Sequence, residues 1–268
     1  MRGPDILWGG DARAFSCPRG RFDGVIGGPP CPDFSSAQRG EPSGYGLEML
    51  GEFVRIVVDS GAAWWWLENV PGVPDVRIPG YSWLRIPLDP RDFGARQRRP
   101  RHFQFGHRDG AVPLVTRRPR AAIVASRCCM ASEASRPGRR GWADFCVDQG
   151  LPGALELPPF KLAARYAAVG NGVHLGVARA IAEATANLVP AGAVQLCACG
   201  CARVVGGRRS LATAACRKRV QRRRDASRAG GVTDQAAAPA AASQRPGDAP
   251  AGARPGPDTE RPLELAAP

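Results

Sequence analysis

Hydrophobic and polar positions along this 268-residue chain sort into short apolar runs and one clear helical repeat. Asp5-Ile6-Leu7-Trp8 reads as a short strand closed by Gly9-Gly10-Asp11, and Gly24-Val25-Ile26-Gly27 reads as a second, buried one. Between Gly46 and Ser60 the residues Leu47, Leu50, Phe53, Val54, Val57 and Val58 recur at spacings of three and four. Glu48, Glu52, Arg55 and Asp59 fall elsewhere. That period predicts an amphipathic helix with Gly61 as its stop. The following Ala62-Ala63-Trp64-Trp65-Trp66-Leu67 is apolar throughout, as a strand covered on both faces must be. Strand, helix, strand in this order predicts a right-handed parallel unit. Strands are also expected at Ser82 to Leu88 and Arg101 to Gly106, and a helix from Leu175 to about Leu188. The glycine-bounded Ala167 to Val173 reads as a turn, and His107 to Pro159 as a loop-rich lobe.

The strand at Val25 runs into Gly28-Pro29-Pro30-Cys31-Pro32-Asp33-Phe34-Ser35, where the prolines end any ladder and stiffen the backbone carrying a thiol. The next parallel strand ends in Glu68-Asn69-Val70-Pro71-Gly72. Topology therefore delivers a cysteine and a carboxylate to one sheet edge, the edge where open α/β sheets bind ligands. In an extended segment before the Arg101 strand, Gln97, Arg99 and Arg101 share a face.

The formal charge of +13 and a pI near 10.2 favour a polyanionic partner, since the basic residues cluster at 96–101, 117–120 and 217–224. Nine cysteines without regular spacing argue against a secreted disulfide scaffold. With no apolar leader and no uncharged run of bilayer length, a cytoplasmic protein without membrane contact is expected. Residues after Ala229 are largely Ala, Pro and Gly and are expected to be disordered.

Taken in order, the Cys31 loop, Glu68-Asn69-Val70, Asp92-Phe93-Gly94 with Gln97 to Arg101, and Gly170-Asn171-Gly172-Val173 resemble the motif set of DNA cytosine-5 methyltransferases. The resemblance covers roughly Asp5 to Leu188, with Glu133 and Gln149-Gly150-Leu151-Pro152 similar to a late motif. It implies an α/β fold: a Rossmann-like S-adenosylmethionine-dependent methyltransferase sheet lacking its first strands, with a small loop-rich lobe and a basic Cys-containing carboxyl-terminal extension. The corresponding units are 1–189 (lobe 107–159), 190–228 and a tail at 229–268.

The same resemblance implies Cys31 as nucleophile, Glu68 as the acid at the base's N3, Arg101 as charge partner and Arg99 and Gln97 as ordering groups. It places S-adenosylmethionine near Asp11, Pro29, Gly170 and Asn171, and double-stranded DNA near Ser35 and Gln97. The arginines Arg217, Arg219 and Arg222 are expected to grip phosphates. Two readings stay open beside a DNA methyltransferase: a non-enzymatic DNA-binding remnant and a tRNA cytosine-5 methyltransferase.

Departures from the pattern carry expectations of their own. The family's glycine-rich cofactor loop, Phe-x-Gly-x-Gly in type, has no counterpart upstream of Asp5, so weak or no cofactor binding by this chain alone is expected. A misassigned start, a broken gene or a complementary chain that supplies the missing half would each account for that. Pro32 stands where the family usually has glutamine. Finally, Cys197, Cys199, Cys201 and Cys216, followed by a basic stretch, resemble a degenerate bacterial zinc-ribbon-like end module, with Ala212 where a ligand cysteine is expected. That resemblance implies zinc.

Overall fold

The computed structural model describes residues 10–35, 40–118, 124–153, 155–158 and 160–230, without the side chains of 223 and 226–230. The expected strand at Asp5 to Trp8, and the tail beyond Gly230, lie outside the described residues.

A mixed α/β sheet forms the centre. Strand β1 (Gly24–Gly27) is followed by helix α1 (Tyr45–Ser60) and strand β2 (Trp64–Asn69), and β1 and β2 pair in parallel. Strands β3 (Ser82–Leu88) and β4 (Arg101–His107) then give the order β1-β2-β4-β3, with β4 antiparallel to both neighbours.

The alternation within β2 explains its uniformly apolar sequence. Trp65 and Leu67 pack with Leu50, Phe53 and Val57 of α1, whereas Trp66 points the other way, into Ile86, Phe103 and Phe105. Helix α4 (Leu175–Ala186) covers this second face through Val177 and Ile181, and the Trp66 indole donates to Thr185 Oγ1 at 2.9 Å. Gly61 ends α1 at φ 64°, a conformation that costs glycine little.

Strand β1 departs from the expectation of a buried strand. It is the sheet's edge among the described residues, and Ile26 is 70% exposed. The reason lies in its position: no described strand pairs with its outer side.

The lobe is more regular, and longer, than its prolines and glycines suggest. It contains β5 (Ala111–Val112), which pairs with β6 (Val189–Pro190), and helix α2 (Trp142–Asp148). Its core of Cys129, Phe145, Tyr166 and Val169 takes two members from α3 (Leu162–Asn171), so it extends past Pro159. Glu133 is fully buried there, held by Arg140 and Arg127. The expected turn at Ala167 to Val173 is instead the last turn of α3. Gly170 stands where an added Cβ would lie 2.7 Å from the Met130 carbonyl carbon and the Ala131 nitrogen, so glycine permits a close backbone approach there.

Beyond β6, Cys197 to Cys216 leads into α5 (Ala214–Gly230), and the four thiols form a small core of their own with Val205. Residues 229 and 230, expected to open the disordered tail, close this helix.

Candidate active site

Parallel pairing of Gly27 with Leu67 aligns the ends of β1 and β2, so the loops that follow emerge side by side. After β1, Pro29 and Pro30 carry the chain to Cys31, which precedes a single 3-10 turn over Pro32–Phe34. The Asn69 side chain donates to the Pro29 carbonyl at 3.1 Å, and its own oxygen accepts from the Val70 amide at 2.8 Å. One buried amide thus ties the thiol loop to the strand that carries Glu68. A Cβ on Gly28 would sit 3.3 Å from Glu68 Oε2, so glycine lets the loop pass close to the carboxyl.

On the carboxyl-terminal side of the same loop, Asp33 accepts from the Ser43 amide at 2.9 Å and the Gly46 amide at 2.8 Å. Gly44 offers no side chain to cap α1, and Asp33 supplies that cap from a distance. Those amides hold its carboxyl below the usual carboxylate range.

Glu68 forms an ion pair with Arg101 (Nε to Oε1 3.1 Å), both side chains 21% exposed. Burial pushes the Glu68 carboxyl up, opposed by Arg101 and Arg99. Burial and the charge of Arg99 push the Arg101 guanidinium down, while Glu68, Cys128 and Cys31 oppose that shift. Cys31 and Glu68 therefore act on one guanidinium, and the thiol, carboxyl and cation share one end of the sheet.

Arg99 is buried and points into the lobe. It donates to the Cys129 carbonyl at 2.6 Å, the Gly170 carbonyl at 2.8 Å and Cys128 Sγ at 3.3 Å. It fastens the end of α3 to the strip before β4, an ordering role. Gln97 shares its face as the alternation predicts, and its side chain turns into the lobe. It is fully buried, donating to Asp148 O at 2.7 Å and Gln149 Oε1 at 2.8 Å and accepting from the Cys129 amide at 3.0 Å. A buried amide needs all these partners, so the lobe claims it.

The remaining candidates are more dispersed. Asp11 is exposed and paired with Arg13, which bridges to Glu48 of α1 at 3.0 Å. Ser35 is partly buried at the end of the 3-10 turn, and Asn171 is exposed at the end of α3. Asn69, Asp33 and Cys128 are residues of the site that motif reading gave no role. Only a polar residue inside an apolar strand end, in the case of Asn69, offered a local signal.

Residues 10–120 match the model of the C-5 cytosine-specific DNA methylase family. Over 98 residues, 33% of this chain and 32% of the relative, the sequence is 35% identical to the Type II methyltransferase M.HgiDI of Herpetosiphon aurantiacus. The chain thus spans about a third of the length of that curated relative.

Among solved structures, Entamoeba histolytica methyltransferase EhMeth is similar with TM-score 0.47 and 10% identity, over 62% of this chain and 77% of that one. DNMT2 of Spodoptera frugiperda follows with TM-score 0.42 and 12% identity, over 60% and 78%. A putative DNA modification methyltransferase from an E. coli prophage shares 30% identity over 32% of this chain and 26% of that one, with TM-score 0.25. The segment similar to the C-5 cytosine-specific DNA methylase family, residues 10–120, is the one that holds the Cys31 loop, Glu68 and Arg101.

Proposed function

We propose that the chain carries the catalytic centre of a DNA cytosine-5 methyltransferase. The observation that carries this reading is the Glu68–Arg101 ion pair beside the loop of Cys31, tied to it through Asn69. Carbon 5 of cytosine is a weak nucleophile until a group adds at C6. The Cys31 sulfur forms that bond and moves the electron pair of the 5,6 double bond to C5. Glu68 in its protonated form donates at N3 as charge builds on the ring, and its burial favours that form. Arg101 donates to the base O2 while steadying Glu68. S-adenosylmethionine, when bound, supplies the methyl group that C5 takes. Water then takes the C5 proton, N3 returns its proton to Glu68, and the restored double bond expels the Cys31 thiolate. A stacked cytosine hides its C6 face, so the base must be flipped out of the duplex.

The outer edge of β1, with Ile26 exposed and Phe15, Phe22, Met49 and Phe53 around an open hollow, suits a strand from a complementary chain. In this reading that chain carries the glycine-rich loop for the methionine end of the cofactor, while Pro29, Gly170, Asn171 and Asp11 contribute from this one.

The test is a duplex in which 5-fluorocytosine replaces the target base, incubated with S-adenosylmethionine and a co-expressed chain bearing such a loop. Fluorine at C5 blocks the last step, so a covalent adduct at Cys31 is the expected mass-spectrometric result, absent in Cys31→Ser. Methyl incorporation into duplex DNA is expected to exceed that into tRNA. Absence of the adduct under these conditions overturns the catalytic reading.

A further inference from the structure

The four cysteines after β6 are separated by single residues at 197, 199 and 201 and by a longer gap to 216, yet their sulfurs all lie within 4.8 Å of one another and all four residues are buried. The Sγ–Sγ distances are 3.5 Å for Cys197 and Cys199 and 3.8 Å for Cys201 and Cys216. A tetrahedral zinc with bonds of about 2.3 Å sets its sulfurs about 3.8 Å apart, whereas a disulfide sets them about 2 Å apart. The spacing matches a metal site.

Donors already surround the sulfurs. The Ala212 amide donates to Cys197 at 3.2 Å, the Thr213 hydroxyl to Cys216 at 3.1 Å and Arg219 to Cys199 at 3.5 Å. Such donors orient metal thiolates and spread their charge. Ala212, at the position where a ligand was expected, thus serves a sulfur through its backbone, and Cys201 completes the set of four.

The cluster is also seated on the catalytic sheet. Arg117 donates to the Cys201 carbonyl at 3.3 Å, and Ala202 packs against the face containing Trp66 and Phe103. Ala202 has φ 53°, rare for a residue with a Cβ and tolerated where surrounding structure enforces it. The Arg219 charge reaches His102, the residue after Arg101 on β4. On the side of α5 away from the thiols, Arg217 and Arg224 stand seven residues apart and Lys218 and Arg222 four apart, all exposed. Two adjoining basic rows result.

We propose that Cys197, Cys199, Cys201 and Cys216 bind one zinc ion, and that this ion fixes α5 beside β4 as a clamp for the phosphate backbone of duplex DNA. The clamp rests on the reading of the chain as one that acts on DNA; the metal site does not. Without the ion, the Cys201–Cys216 sulfur pair and the Arg219–Cys199 hydrogen bond are left to hold α5 to the 197–201 turn, and the helix is expected to lose its fixed position.

Elemental analysis of the purified full chain is expected to give one zinc per molecule, lost in Cys216→Ser. Cobalt added to the metal-free chain is expected to give the thiolate charge-transfer and intense visible bands of a tetrahedral site. Iron in place of zinc, disulfides among the four cysteines, or no stoichiometric metal and no such bands would overturn the site. For the clamp, duplex binding is measured against salt concentration. Arg217→Ala/Arg222→Ala should keep its zinc and lower the slope of log affinity against log salt by about 2. The chelated chain should bind duplex more weakly than the zinc form. Equal binding by the two forms, or an unchanged slope in the arginine variant, overturns the clamp while leaving the adduct test of Cys31 to judge the catalytic reading.

Discussion

Glu68 is under opposing influences: burial favours its neutral form and two guanidinium groups favour the charged one, with burial the larger. Its folded pKa is raised, so the protonated acid is present at low pH and is lost as pH rises through that raised value. Adduct formation at Cys31 is therefore expected to fall along an alkaline limb that Glu68→Gln abolishes, while the same substitution slows the step by about 10²–10⁴-fold. Stopped reactions across a pH series read both effects.

Glu133 presents the reverse case, since hydrogen bonds and charge from Arg140, with Arg127, outweigh burial and hold its pKa down. The stability it contributes is present above its unfolded value of about 4.3 and lost as pH falls through the folded one. Thermal melts of Glu133→Gln are expected to show a loss of about 1–3 kcal/mol at neutral pH and a flatter acid limb, the loss being limited because Arg140 keeps Asp148 at 2.8 Å.

At the scale of elements, the residues that make strands and helices were legible where their neighbours in sequence carry the signal. The spacing of Leu50, Phe53 and Val57 defines α1, and Trp64 to Leu67 defines a strand with two covered faces. What joins the elements was not legible, because it depends on residues far apart. Asn69 reaches Pro29 across 40 positions, and Arg99 reaches Gly170 across 71. Gly170 looked like a turn residue because a glycine pair surrounds Asn171; the close approach of Met130 that requires it in a helix has no local trace.

Gly106 is another such case. It pairs with Trp65 on β2 and Trp83 on β3, and a Cβ there would lie 2.2 Å from the Trp65 indole. Overpacking of this kind costs about 1–3 kcal/mol, and chemical denaturation of Gly106→Ala is expected to show it.

Over the whole molecule, the cysteine and carboxyl were expected to share one sheet edge, and β1 and β2 emerge side by side with both groups acting on Arg101. The placement of the carboxyl-terminal module was beyond sequence reasoning, since nothing near Cys201 indicates that Arg117 and the Trp66 face receive it. Gln97 shows the same limit from the other side: alternation places its face, but nothing nearby in sequence indicates that Asp148 and Gln149 of the lobe meet it there. A face is a property of one segment, whereas its occupant belongs to the assembled chain.

The short bridge from Asn69 to the Pro29 carbonyl fastens the backbone behind the sulfur to the strand behind the carboxyl. Sulfur and carboxyl are coupled through that bridge, so a displacement of one loop is felt by the other.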